Sequence, residues 1–296
     1  MHYTGPVYRP PPEAHTPLLE ITYGCSWNKC SFCTMYHGQK FGSSPLEDIK
    51  EDLEELSKYF PLDLKRLFLV NGDAFTLSTN KLLEISKLIH DYLPKIECLS
   101  AYASIRNIKT KSIDDLEKLK EEGFNDLYIG LETAYDPALK LMKKGYDSKD
   151  EYNQLSKLKE IGMDYNALLM LGVAGSGNYK ENVNATVDLL NTFKPKIVGP
   201  LTTSIAENSH LYKMKTNQEF VEATEREKLN EELLLLEKLE MDDDCYFFGS
   251  HPYNLIRFSD NFKNKEKMIK NLKENMDKID ELKPGLLDSV LPRANL

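Results

Sequence analysis

Long apolar runs are missing from this 296-residue chain. No window approaches the roughly 18 consecutive apolar residues that a membrane-spanning helix requires, which excludes such helices. The opening Met1-His-Tyr-Thr-Gly-Pro-Val7 lacks the charged-then-apolar order of a secretory signal, so a cytoplasmic protein is expected. Blocks of basic residues are equally scarce. Thirty-eight Lys and Arg stand against 47 Asp and Glu, a formal charge of −9, and nothing resembles a phosphate-neutralising patch, so nucleic-acid binding is not favoured. The chain has too few cysteines, five in all, for a disulfide framework. A reducing compartment suits thiolates that bind metal. Cys98 and Cys245 stand apart from any second cysteine and read as small buried side chains, so no second metal centre is expected.

What is present is an alternation of strand and helix patterns. The proline-rich Tyr8 to Ala14 reads as extended coil, and Leu18 to Thr22 as a short strand. Pro45 to Tyr59 carries a helical stripe at Leu46, Ile49, Leu53 and Leu56. Strands are expected near Arg66–Asn71, Cys98–Ser104, Asp126–Leu131, Asn166–Gly172 and Lys196–Leu201. Between them helices are expected near Thr79–Tyr92, Lys111–Glu122, Ser148–Ile161 and Tyr179–Phe193, with Ser148-Lys-Asp-Glu151 read as a capping box. Strands as apolar as Ala167-Leu-Leu-Met-Leu-Gly172 imply a parallel sheet covered on both faces. The six β/α units are too few to close an eight-stranded barrel. Polar, leucine-rich helices near Gln218–Glu240 and Asn264–Leu282 read as a cover over the open side.

Three cysteines, Cys25, Cys30 and Cys33, lie in Thr22-Tyr-Gly-Cys-Ser-Trp-Asn-Lys-Cys-Ser-Phe-Cys-Thr-Met-Tyr36. A cubane cluster has four irons, each wanting a thiolate, so three cysteines leave one iron open to an exogenous ligand. The same residues with His37 also fit a Cys3His zinc site. In parallel α/β folds, ligands gather at the carboxyl ends of strands. Those ends carry Asn71-Gly-Asp-Ala-Phe75, Ser104-Ile-Arg106, Gly130-Leu-Glu-Thr133 with Lys144-Gly145 beyond it, and Leu171-Gly-Val-Ala-Gly-Ser-Gly177. Late in the chain, Cys245 to Asn254 concentrates aromatics with His251 and Asn254, which read as candidates to face a substrate.

Taken in order, these segments resemble the radical S-adenosylmethionine (SAM) enzymes, in the branch that includes the methylthiotransferases and oxygen-independent coproporphyrinogen oxidases. The first cysteine gap has four residues, where the commonest version of the family loop has three. The resemblance covers roughly Leu18 to Leu201. It implies an α/β fold, a partial (β/α)6 barrel with a helical C-terminal extension. The expected division is an N-terminal segment over residues 1–17, the barrel over 18–215 and the extension over 216–296. It further implies that Cys25, Cys30 and Cys33 hold a 4Fe-4S cluster with SAM on the open iron. Reductive cleavage of SAM then gives a 5′-deoxyadenosyl radical that abstracts hydrogen.

By the same resemblance Phe32 lies near the adenine, Gly72, Asp73 and Ala74 receive the methionyl ammonium, and Ser104 meets the ribose or the carboxylate. Glu132 binds ribose hydroxyls, Lys144 neutralises the SAM carboxylate, and Leu171 and Val173 flank the adenine. Arg106, His251 and Asn254 are the substrate-side candidates. Ferredoxin or flavodoxin is the expected electron donor, and a small molecule is the expected substrate. Modification of tRNA is the enzymatic alternative, and a Cys3His zinc-binding interaction module the non-enzymatic one.

Overall fold

The computed structural model describes residues 1–60 and 63–293. Its strands are β1 (Leu18–Leu19), β2 (Thr22–Tyr23), β3 (Gly42–Ser43), β4 (Arg66–Leu69), β5 (Cys98–Ala103), β6 (Asp126–Glu132), β7 (Asp164–Leu171), β8 (Ile197–Thr202), β9 (Tyr246–Phe248) and β10 (Ser259–Asn261). The helices are α1 (Leu46–Tyr59), α2 (Thr79–Tyr92), α3 (Ile105–Lys109), α4 (Ile113–Glu121), α5 (Asp136–Leu141), α6 (Ser148–Ile161), α7 (Tyr179–Thr192), α8 (His210–Thr216), α9 (Glu225–Lys238) and α10 (Lys265–Leu282). Eight strands run in the order β1-β4-β5-β6-β7-β8-β9-β10 in one sheet, while β2 and β3 form a separate antiparallel ribbon. All six strands expected from the apolar runs are present. No described helix is long and apolar enough to cross a membrane.

The residues pack as two compact units. The first comprises Met1–Asn28, Met35–Gly130 and Asn153–Tyr165. Here β1, β4, β5 and β6 pair in parallel, with Leu69 opposite Leu19 and Ala101, and Ala101 opposite Leu127. Continuous apolar strands are what burial on both faces requires, and Leu67, Phe68 and Leu69 are all buried. The α1 stripe of Ile49, Leu53 and Leu56 is buried as its spacing predicts.

Helix starts in this unit follow local capping chemistry. Ser78 caps α2, and Ser112 forms a capping box with Asp115 on α4. The helix expected from Lys111 therefore begins two residues later, and an extra short helix, α3, precedes it. The opening segment departs from extended coil: Pro11–Glu13 forms a single 3-10 turn. That turn buries Glu13 against Arg66, whose guanidinium also pairs with Asp126 and donates to Cys98 Sγ at 2.9 Å. Cys98 is thus half-buried beside an arginine. Cys245 is fully buried, as expected.

The second unit comprises Lys29–Thr34, Leu131–Tyr152 and the chain from Asn166 onward. In it β7, β8 and β9 pair in parallel and β10 returns antiparallel on β9. The C-terminal extension is therefore not purely helical, since it adds two three-residue strands to the sheet. The expected helix near Gln218–Glu240 starts at Glu225, where Thr224 and Glu227 form a capping box. Glu225, Lys228, Glu231 and Glu232 of α9 are all buried, so its polar residues do not simply face water.

Candidate active site

In the first unit, the β2–β3 ribbon opens and closes the loop that carries Cys25. Gly24 begins it at φ +72°, and a Cβ there would stand 2.9 Å from the Lys40 carbonyl oxygen, so only glycine fits. The turn after β4 is bound to this loop. Asp73 is buried, and its Oδ2 accepts the Ser26 N–H at 3.0 Å and also the Ser26 hydroxyl. Asn71, at φ +73°, donates from Nδ2 to Glu20 Oε2 at 2.8 Å. A Cβ on Gly72 would lie 2.5 Å from Tyr36 Cε2. The turn and the segments either side of Cys25 are thus interlocked, and Ala74 is wholly buried behind them.

Lys111, read from sequence only as a helix start, supports this turn: its buried Nζ donates to the Phe75 and Leu77 carbonyls at 2.9 and 3.0 Å. Burial lowers its ammonium to about 8. Ser104 forms a capping box with Asn107 at the start of α3, where its hydroxyl donates to Asn107 Oδ1 at 2.9 Å. Arg106 sits over the Trp27 ring, 4.3 Å from the centroid, a cation–π geometry.

Cys30 and Cys33 belong to the second unit. Ser31, between them, is buried and held on three sides: its N–H donates to Met142 O at 2.9 Å, its hydroxyl to Leu141 O at 2.9 Å, and its carbonyl accepts the Leu211 N–H at 2.7 Å. Phe32 packs against a buried apolar cluster that includes Met142, Met170, Val173 and Leu211, which fixes the loop by apolar contact.

Beside it lies a buried ion pair. Lys144 Nζ donates to Glu132 Oε1 at 3.0 Å and stands 5.9 Å from the Phe32 ring centroid. Burial acts to lower the Lys144 ammonium, but the charge of Glu132, with Tyr146 and Cys30 nearby, holds it well above its ordinary value. Lys144 is buried rather than solvated. Glu132 has φ +68°, a left-handed conformation that non-glycine residues seldom adopt.

Glu151 is buried with neither oxygen hydrogen-bonded, and burial pushes its carboxyl well above the usual range against the pull of Lys144. It therefore does not close the expected capping box with Ser148. Asp147 takes the capping place instead, its Oδ1 accepting the Asp150 N–H at 2.9 Å, and the Ser148 N–H turns to Asp136 at 2.7 Å.

Beyond β7, Leu171 and Val173 are buried, and Val173 shares the apolar cluster with Phe32. Asn254 is buried and has all four hydrogen-bonding capacities filled. Its Oδ1 accepts from Thr202 N and Oγ1 at 2.8 and 3.0 Å, and its Nδ2 donates to Pro200 O and Gly249 O, each at 2.9 Å. It ties β8 to the segment after β9 rather than turning toward a ligand. His251 is half-buried, accepts the Tyr253 N–H at 3.2 Å through Nδ1, and is lowered by burial and by Arg257, so near neutral pH its ring is uncharged.

The donor set fits an iron–sulfur cluster: three half-buried cysteines in one loop, none in a disulfide.

The family model described as the Radical SAM superfamily matches residues 19–190, more than half of the chain. The heme chaperone HemW of Bacillus subtilis is 28% identical over 184 residues, covering 59% of this chain and 46% of HemW. The tRNA-2-methylthio-N(6)-dimethylallyladenosine synthase of Fusobacterium nucleatum is 26% identical over 258 residues, 80% of this chain and 53% of that protein. This chain thus spans about half the length of those curated relatives. Among solved structures, the radical SAM methyltransferase TsrM of Kitasatospora setae, with cobalamin and a 4Fe-4S cluster bound, superposes with a TM-score of 0.56 at 19% identity, over 69% of this chain and 39% of that one. The chain belongs to the radical SAM superfamily, whose enzymes work with a 4Fe-4S cluster and S-adenosylmethionine.

Proposed function

We propose that Cys25, Cys30 and Cys33 are the cluster ligands and that SAM occupies the ends of the strands beside them. The observation that carries this reading is the buried Lys144–Glu132 pair packed at Phe32, between the last two cysteines. Lys144 is a buried cation beside the Phe32 ring, a charge that the methionyl carboxylate of SAM would complement. Glu132 takes the ribose hydroxyls, with Ser104 as a further polar neighbour. Leu171 and Val173, with Phe32, provide the apolar face for the adenine. Gly72, Asp73 and Ala74 receive the ammonium through main-chain acceptors, while the Asp73 carboxylate keeps Ser26 and the cysteine loop in place. When bound, the cluster and SAM supply a 5′-deoxyadenosyl radical; the protein's part is to orient the ligand and keep water out.

The substrate is a small molecule in this reading, supported by the acid excess of −9, and Arg106 and His251 are its candidate contacts. Ferredoxin or flavodoxin donates the electron. Anaerobically purified protein is expected to be brown, to hold about four irons per chain, and to release 5′-deoxyadenosine on reduction with SAM. Replacing Cys25, Cys30 or Cys33 by alanine abolishes both properties. Colourless protein with one bound zinc would overturn the reading. The similarity to a tRNA methylthiotransferase over 80% of this chain favours tRNA as the second possibility, and strong, salt-sensitive retention of tRNA would select it.

A further inference from the structure

The glycine turn after β7 hangs on α9, a helix outside the residues that match the family model. Glu231 Oε2 accepts the Gly172 N–H at 2.8 Å. One helical turn earlier, Glu227 Oε1 accepts the Gly177 N–H at 2.6 Å and the Ser176 hydroxyl at 2.9 Å. Lys228 closes over the space between, since a Cβ on Gly172 would stand 3.1 Å from its Cγ. Both ends of the turn are therefore gripped by carboxylates spaced four apart on one helix face.

The second oxygen of Glu231 leads elsewhere. Oε1 accepts from Asn182 Nδ2 at 2.7 Å, and Asn182 Oδ1 accepts the Thr133 hydroxyl at 2.5 Å. Thr133 Oγ1 in turn accepts the Tyr135 N–H at 2.8 Å, and Thr186 Oγ1 accepts the Ala134 N–H at 3.1 Å. This relay ends on the backbone immediately after Glu132. Thr133, Asn182, Thr186 and Glu231 are each 4% exposed or less, and a buried network whose members are all partnered holds its parts in one arrangement.

We propose that Glu231 is a positioning residue for the nucleoside half of SAM. One carboxylate sets the turn bearing Leu171 and Val173 in register with the loop bearing Glu132. The C-terminal extension thereby becomes part of the SAM site rather than a lid over it. The inference rests on the reading above, in which those two segments meet the adenine and the ribose. Glutamate is the side chain this position needs, because both oxygens face N–H donors. A glutamine offers one acceptor and one donor, so the Asn182 amide has to turn over and the Thr133 hydroxyl has to rotate to donate to Thr186 Oγ1, 3.4 Å away.

The test separates the two halves of the ligand. Cluster-loaded wild type, Glu231→Ala, Glu231→Gln and Glu227→Gln are titrated anaerobically with SAM, methionine and 5′-deoxyadenosine. Glu231→Ala is expected to weaken SAM and 5′-deoxyadenosine by about tenfold or more, the scale of one lost interaction of about 1.4 kcal/mol, while methionine affinity and cluster absorbance stay unchanged. Glu231→Gln and Glu227→Gln shift the same two affinities by less, and they keep the test open should the alanine variant fail to fold. Equal weakening of methionine and 5′-deoxyadenosine, or no change in either in the folded variants, overturns the proposal. Wild type that loads the cluster yet binds none of the three ligands removes the underlying site reading instead.

Discussion

Cys25 is held from the first unit and Cys30 and Cys33 from the second, and the second unit adds a buried charge pair to the hydrogen bonds that both use. Around Cys25 the contacts run from single polar side chains to backbone, as with Asp73 to Ser26 and Asn71 to Thr22, together with close approach of Gly72 to Tyr36. Around Cys30 and Cys33, Ser31 makes hydrogen bonds of the same kind, and two further supports are added: the apolar cluster against which Phe32 packs and, beside that ring, the buried Lys144–Glu132 ion pair. A hydrogen bond to backbone is a local device whose loss is felt nearby. A buried charge is a commitment, because removing one partner strands the other in low dielectric.

This difference predicts unequal responses. Lys144→Met should have the largest effect, about 3–5 kcal/mol lost in denaturant unfolding, because Glu132 is left without its partner. A loss no greater than that of an exposed lysine would put the two halves on the same footing. Glu232→Met addresses a buried carboxyl with neither oxygen hydrogen-bonded, which burial and then Glu231 push up to about 8. The unfolded chain releases this proton near 4.5, so wild type carries no penalty below that pH and an increasing one until the folded group ionises near 8. The variant should therefore be the more stable protein, with a gain in Tm that widens from pH 5 to pH 8 and then levels off. A gain independent of pH would show that Glu232 does not titrate with folding.

Gly72→Ala tests the first unit. It overpacks the turn against Tyr36 and should cost about 1–3 kcal/mol, and a double-mutant cycle with Tyr36→Leu should recover part of that cost as coupling. Arg106→Ala is the mildest, about 0.5–1 kcal/mol from the lost cation–π contact. Because Trp27 is the only tryptophan, its fluorescence reports the change directly.

The sequence made the strands legible because a strand buried on both faces must be apolar throughout, as in Ala167 to Leu171. The order of motifs at the strand ends was legible for the same reason: each follows a strand the pattern already located. Hydrogen-bond ownership was not. Asp147 and Ser148 are both capable helix caps, and only packing shows that Asp147 wins and Glu151 turns inward. An asparagine among aromatics, such as Asn254, carries no mark of whether it faces ligand or backbone. Three-residue strands like β9 and β10 are too short for a periodicity, and the buried carboxylates of α9 sit in a run whose composition looks solvated. The division of the cysteine loop between two units had no sequence signal, since the partners of Ser31 lie more than 100 residues away.

That last arrangement has a consequence for biosynthesis. Residues 29–34 emerge early but find one of their neighbours only when Leu211 is made. At ordinary elongation rates the intervening 180 residues take roughly 10–40 s. During that interval the segment travels on a nascent chain with only part of its support, so any stalled or truncated product ending before α8 lacks the Leu211 contact that holds the Ser31 carbonyl.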